Sequence, residues 1–128
     1  MNLKRMWLLG APLLLLFAHL AGGAPVRPFA EGEKGHRQVP MEPFSGRTFS
    51  VLCKAKERTA VIIYGQGTSP MAAYVFDSHG NCVAWDDLSL STMPDDLALE
   101  WYPPTEQTYE VEVRNLGRKA NQPEIAIR

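Results

Sequence analysis

The sequence is poor in the residues that metal binding and covalent catalysis most often use. Its 128 residues include three histidines and two cysteines, and no His-x-x-x-His or Cys-x-x-Cys pair predicts a zinc site. No serine lies in the context of a nucleophile elbow, and Gly65 and Gly67 lack the third glycine of a dinucleotide-binding loop. His36 lies in a proline-rich stretch and His79 in a turn. We therefore expect no enzymatic activity and no cofactor.

An excess of charge of one sign is also missing. The formal net charge is −1 at pH 7, and no basic face is evident that would neutralise phosphates. This balance excludes nucleic acid as an expected partner.

Long apolar runs are absent except at the amino terminus. The run of residues 7–18 follows Lys4 and Arg5 and precedes the small residues 21–24. A positive start, an apolar stretch of this length and small residues beyond it are typical of a secretory signal peptide. The sequence therefore predicts a signal peptide at residues 1–24 and a secreted or periplasmic location.

Cleavage is expected after Ala24 or, because Pro25 is unfavourable just beyond the cut, after Gly23. The alternative is an uncleaved membrane anchor. A span needs roughly 20 strongly apolar residues, and Pro12 and His19 weaken this one. We expect no membrane span after cleavage.

Residues 25–43 are rich in proline, glycine and mixed charge, with few large apolar side chains. Such a composition does not bury enough surface to offset the entropy of ordering the chain. The sequence predicts a flexible linker over 25–43 and a single domain over 44–128.

From Phe44 onward, short apolar runs alternate with turn signals about 8 to 12 residues apart, a spacing typical of sandwiches and barrels. The clearest half-buried strand has Tyr109, Val111 and Val113 on one face and charged residues on the other. The pattern predicts seven strands and no helix. The expected fold class is all-β, a two-sheet antiparallel jelly-roll-like sandwich.

The central feature of this pattern is a predicted β-hairpin over residues 73–87. Two apolar arms flank Asp77-Ser78-His79-Gly80, in which Asp77 bonds forward to the turn backbone and Gly80 supplies a positive φ. The first arm carries apolar residues on both faces, which is typical of a strand inside a two-layer structure.

The order of these motifs resembles a known family. Tyr74-Val75-Phe76-Asp77-x-x-Gly80-Asn81 continues into Val83-Ala84-x-Asp86-Asp87, and Tyr109-x-Val111-x-Val113-Arg114-Asn115 follows an aromatic-proline loop. Over residues 44–128 the chain resembles the bacterial pre-peptidase C-terminal domain, a jelly-roll-like β-sandwich. The resemblance implies a mostly non-catalytic domain of exported proteins, with relatives that bind collagen or other polymers, sometimes with calcium.

Acidic loops provide the one indication of a metal. Asp86 and Asp87 leave the hairpin, and Asp95 and Asp96 lead into the next strand. If these strand ends are neighbours, four carboxylates gather at one pole and suit calcium, which takes six to eight oxygen ligands. The alternative is that these aspartates are ordinary loop residues.

Aromatic residues provide a second candidate site. Trp85, Trp101, Tyr102 and Tyr109 form a platform for a sugar or peptide if they are exposed, whereas a small sandwich needs such residues in its core. Tyr102 lies on the opposite face from Leu99 and Trp101, so it is the best candidate for an exposed binding residue.

The two cysteines, Cys53 and Cys82, allow a disulfide in an exported protein. Cys53 shares the inward face of its strand, and a bridge would tie that strand to the central hairpin. The alternative is two thiols that pack as small apolar residues, because sequence does not show whether the two strands are neighbours.

These observations favour an exported, non-catalytic binding or attachment module that engages an extracytoplasmic protein or polymer. The alternative from a different class is a chaperone-like or inhibitory partner of a separate secreted hydrolase.

Overall fold

The computed structural model describes residues 35–87 and 95–128, which form eight β-strands and no helix. The predicted signal peptide (1–24) and residues 25–34 of the predicted linker lie outside these ranges. The strands are β1 Gly35–Gln38, β2 Gly46–Cys53, β3 Thr59–Tyr64, β4 Met71–Phe76, β5 Cys82–Asp86, β6 Asp96–Trp101, β7 Gln107–Asn115 and β8 Glu124–Ile127. The described ranges hold no helix that is able to cross a membrane.

The strands form two antiparallel sheets of four strands each. One sheet has the order β1-β8-β3-β6 and the other the order β2-β7-β4-β5. Among these eight strands, β4 and β5 are the one pair that is adjacent both in sequence and in a sheet. The other paired strands are separated by long stretches of chain, as in jelly-roll folds. This architecture confirms the predicted all-β sandwich, with eight strands where seven were predicted.

The additional strand corrects the predicted linker. β1 pairs with β8 in register from Gly35 to Gln38, and Val39 and Met41 beyond it are buried. The Met41 amide and carbonyl both bond to Asn121. Residues 35–43 thus belong to the sandwich, because a polar segment can join a sheet edge through backbone hydrogen bonds, which composition does not reveal.

The core lies between the two sheets, and inward and outward residues alternate along each strand. The main inward side chains are Phe49, Val51, Val61, Ile63, Val75, Leu97, Leu99, Trp101, Tyr109, Val111, Val113, Ile125 and Ile127. Trp101 of one sheet and Tyr109 of the other meet with ring centroids 5.4 Å apart. Aromatic contacts of this kind add to the stability gained from the buried area.

The predicted hairpin is present between β4 and β5. The Gly80 amide donates to the Asp77 carbonyl (3.0 Å), and Gly80 has a φ of 80°. The Asp77 carboxylate accepts bonds from the amides of His79 (2.9 Å) and Asn81 (2.8 Å). Burial acts to raise the pKa of Asp77, but the bonds from Asn81 and His79 outweigh it and the pKa is lowered. The carboxylate therefore stabilises the turn at neutral pH, and this stabilisation is lost as the pH falls through the lowered pKa.

Candidate functional site

The outer face of the β2-β7-β4-β5 sheet carries three aromatic side chains on its last two strands. Because Ala73 and Val75 point into the core, Tyr74 and Phe76 point outward. Trp85 of β5 lies opposite Tyr74 in register, and this residue is 63% exposed. An exposed tryptophan beside two other aromatic residues is unusual on the surface of a small domain.

Two carboxylates border these aromatic residues on the neighbouring strand. In the pairing of β4 with β7, Tyr74 lies opposite Glu112 and Phe76 opposite Glu110. Side chains directly opposite each other on antiparallel strands have Cβ atoms about 5 Å apart. We call Tyr74, Phe76, Trp85, Glu110 and Glu112 the aromatic face.

The two carboxylates differ in their surroundings. The Glu112 carboxylate accepts a hydrogen bond from the Arg114 guanidinium and is paired with it. Glu110 has no ion pair among the residues that the structure describes, and burial, with a further contribution from the charge of Glu112, raises its pKa. The aromatic face therefore contains one carboxylate that an incoming cation is able to neutralise.

The four aspartates considered as candidate calcium ligands do not come together in the structure. Asp86 accepts a bond from the Ala98 amide (3.1 Å) and joins the edges of the two sheets, and Asp87 accepts one from the Tyr74 hydroxyl (3.2 Å). Asp96 accepts a bond from the Gly65 amide (3.0 Å). Over residues 35–87 and 95–128, no group of three or more potential metal-ligating side chains is present. The predicted cluster is thus not formed, because each carboxylate is turned to its own donor.

Asp95 is instead the centre of a buried polar cluster. It is 2% exposed, and its Oδ2 accepts bonds from the Gly67 amide (2.5 Å) and the Asn121 Nδ2 (3.1 Å). Asn121 also bonds to Ser69 and, through its Oδ1, to the Gln66 amide. These bonds hold the loop after β3 against the loop before β8.

Of the two alternatives for the cysteines, the structure has no disulfide between Cys53 and Cys82, since both are free. Cys53 is on β2 and Cys82 on β5, which are the opposite edges of one sheet. Three strand spacings separate them by about 14 Å, whereas a disulfide needs Cα atoms within about 7 Å. Burial raises the pKa of both thiols, which suppresses the reactive thiolate.

Tyr102, the best candidate for an exposed aromatic residue, is 63% exposed, whereas Trp101 and Tyr109 are buried. The structure leaves Tyr102 on the loop after β6 and does not bring it into the aromatic face. Trp85 was expected to be buried and is the exception. Its register with Tyr74 reveals its outward position, and this pairing is not visible in the sequence of β5 alone.

The hairpin tip brings a serine and a histidine together without forming a catalytic arrangement. Ser78 Oγ lies 3.3 Å from His79 Nδ1, but it also donates to the Gln107 Oε1 (2.8 Å). The neighbouring Asp77 carboxylate is occupied by amides of the turn rather than by the imidazole. A triad needs the carboxylate to orient the imidazole, and this turn does not provide that contact.

Comparison with known proteins supports the fold. No family model matches the sequence, and no curated protein matches it. Among solved structures, the pre-peptidase C-terminal domain of a Bacillus anthracis collagenase is similar at a TM-score of 0.63 and 6% identity, covering 82% of this chain and 97% of that one. The resemblance inferred from the sequence is confirmed at the level of the fold.

Two other solved structures share the same architecture. A surface-associated copper-binding protein of Methylomicrobium album has a TM-score of 0.61 and 9% identity, with 82% of this chain and 98% of that one covered. A periplasmic inhibitor of g-type lysozyme from Aeromonas hydrophila has a TM-score of 0.54 and 11% identity, with 81% and 97% covered. At these identities the likeness establishes the sandwich fold alone.

Proposed function

We propose that the protein is an exported, non-catalytic binding module that engages an extracytoplasmic protein or polymer through the aromatic face. The observation that carries this proposal is the exposure of Trp85 beside Tyr74 on a sheet face bordered by carboxylates. Tryptophan and tyrosine dominate the energetics of binding surfaces because they bury a large area at a small entropic cost. Export is supported by the charged, apolar and small-residue segments of residues 1–24.

The chemistry of the aromatic face favours a partner that presents positive charge. The faces of Trp85 and Tyr74 attract a lysine or arginine side chain through cation–π interaction. Glu110, which is half-buried and has no ion pair among the described residues, provides the negative charge that such a side chain neutralises. The ligand is therefore proposed to be a basic protein or a polymer carrying cationic groups.

Replacement of Trp85 by alanine tests this proposal. We expect the immobilised wild-type domain to capture a partner from the exported fraction, and Trp85→Ala to reduce the affinity by about tenfold to a hundredfold. Tyr102→Ala is the matched control, because Tyr102 is equally exposed but lies on the loop after β6, outside the aromatic face. Loss of capture by Tyr102→Ala, with Trp85→Ala unchanged, would move the site to the loop after β6.

The identity of the captured partner separates the two functions considered above. A structural protein or a polymer supports attachment. A secreted hydrolase whose activity falls when the domain is added supports the alternative, an inhibitory partner.

Binding is also expected to depend on pH through Glu110. Because burial and Glu112 raise the pKa of Glu110, its carboxylate is protonated at a higher pH than an ordinary glutamate. Affinity for a cationic partner should therefore fall as the pH is lowered through that raised pKa. Binding isotherms between neutral and mildly acidic pH measure this, and Glu110→Gln should bind more weakly at neutral pH and lose most of the pH dependence. A parallel slope in the variant would assign the dependence to another group.

A further inference from the structure

The turn that leads into β2 holds an aromatic residue where glycine is usual. The Ser45 amide donates to the Glu42 carbonyl (3.3 Å), so Pro43 and Phe44 occupy the two central positions of a β-turn. Phe44 has a φ of 54°, the left-handed conformation that the second central position of a type II turn requires and that glycine or asparagine normally supplies. A bulky residue in this conformation is strained.

Packing does not compensate for this strain. The Phe44 side chain is 66% exposed, and that of Leu116 is 44% exposed. The Phe44 amide donates to the Gly117 carbonyl (3.2 Å), so the two turns that carry these side chains are adjacent. We call Phe44 and Leu116 the apolar tip.

The apolar tip stands on a rigid base, because Asn115 connects the two turns. Its Nδ2 donates to the carbonyls of Glu42 (3.1 Å) and Lys119 (2.8 Å), and its Oδ1 accepts from the Gly117 amide (3.0 Å). Asn115 is 1% exposed. The backbone below the tip is therefore fixed before any ligand arrives, which reduces the entropic cost of binding.

Cationic side chains flank the apolar tip. Arg118 and Lys119 follow Leu116 after Gly117 and are exposed, and neither forms an ion pair with any residue in the described ranges. The turn that carries Phe44 contributes one negative charge, the carboxylate of Glu42. The two loops that carry the tip, residues 42–45 and 115–121, therefore hold two cations against one carboxylate, although the chain as a whole has a net charge of −1.

We infer that the apolar tip, together with Arg118 and Lys119, docks the domain reversibly on the surface of an anionic lipid bilayer. The phenylalanine and leucine side chains enter the boundary between headgroups and acyl chains, and the two cations meet the lipid phosphates. A bilayer binds a protruding apolar tip without a complementary pocket. The strained turn conformation of Phe44 holds its side chain outward, where it inserts into the bilayer. This surface is separate from the aromatic face.

Vesicle partitioning tests the inference. The full-length mature protein is mixed with vesicles of phosphatidylcholine alone, or of equal parts phosphatidylcholine and phosphatidylglycerol, and the bound fraction is measured by sedimentation. We expect binding to the anionic vesicles only, weakened by added salt because salt screens exposed charges. Phe44→Gly should reduce partitioning about tenfold or more.

Phe44→Gly is an informative variant because glycine relieves the positive φ. We expect its melting temperature to equal or exceed that of the wild type, so loss of binding is not caused by unfolding. Tyr102→Ser, a variant of an equally exposed aromatic residue on the loop after β6, should leave partitioning unchanged, and so should Trp85→Ala. Replacing both Arg118 and Lys119 by serine should remove the preference for anionic vesicles.

Two results would overturn the inference. The first is a wild-type protein that does not sediment with anionic vesicles, and the second is a Phe44→Gly variant that partitions like the wild type. If that variant in addition loses a captured protein, the apolar tip is a protein contact instead. Failure of Trp85→Ala to affect capture leaves this inference untouched, so the two proposals fail separately.

Discussion

Replacement of Asp95 by alanine is expected to lower the free energy of unfolding by about 2–4 kcal/mol. The variant removes the acceptor for the Gly67 amide and for Asn121 Nδ2, both part of a buried cluster. Donors that lose their acceptor in a buried site cost more than the net value of the bond, and bonds to a charged group are among the strongest. Urea unfolding with a common slope measures the change.

Asp87→Ala is the matched control for this prediction. Asp87 is exposed and accepts one bond, from the Tyr74 hydroxyl, so its removal should change stability by less than about 0.5 kcal/mol. Combining Asp95→Ala with Asn121→Ala should cost less than the sum of the single changes, because both remove the same contact. Equal effects of Asp95→Ala and Asp87→Ala would contradict the assignment of Asp95 as the centre of the cluster.

The sequence alone did not predict the buried polar cluster around Asp95. Asp95 and Asp96 lie in an acidic loop, and such loops are usually solvated. Burial of Asp95 arises from the loop after β3, where a Cβ placed on Gly65 would collide with the Asp95 side chain. The glycine is needed for this close approach, but the approach joins residues far apart in the chain.

Features set by local chemistry were predicted correctly. The hairpin turn follows from Asp77 and Gly80, whose side-chain acceptor and positive φ act within a few residues. β7 follows from its alternation, because Tyr109, Val111 and Val113 share the buried face. Each of these signals lies within one or two strands and does not depend on how the sheets are ordered.

Features that depend on strand order were not predicted. Cys53 and Cys82 are on opposite edges of a sheet, which no property of either segment indicates. β1 consists of Gly-His-Arg-Gln and joins β8 through its backbone, so its side chains give no strand signal. The aromatic face likewise depends on β4 lying between β5 and β7, which brings Trp85 and Glu112 to the two sides of Tyr74.

The contact between Trp101 and Tyr109 is expected to carry a large part of the stability of the sandwich. Tyr109 is 1% exposed on the inner face of its sheet, and its ring meets that of Trp101 from the opposite sheet. Tyr109→Ala would remove this ring and leave a cavity between the layers, with an expected cost of about 3–5 kcal/mol. Because domains of this size are stable by only about 5–15 kcal/mol, a loss of this size removes a large share of the stability and should lower the melting temperature markedly.

Tyr109→Phe separates the ring from its hydroxyl. It keeps the aromatic contact and the packed volume, so we expect a loss of less than about 1.5 kcal/mol. Thermal and urea unfolding of the two variants and the wild type make the comparison, with binding of a hydrophobic dye to report any loosening of the core. If Tyr109→Ala costs no more than Tyr109→Phe, the two sheets are held together by the aliphatic side chains alone, and the aromatic contact is not the main link between the layers.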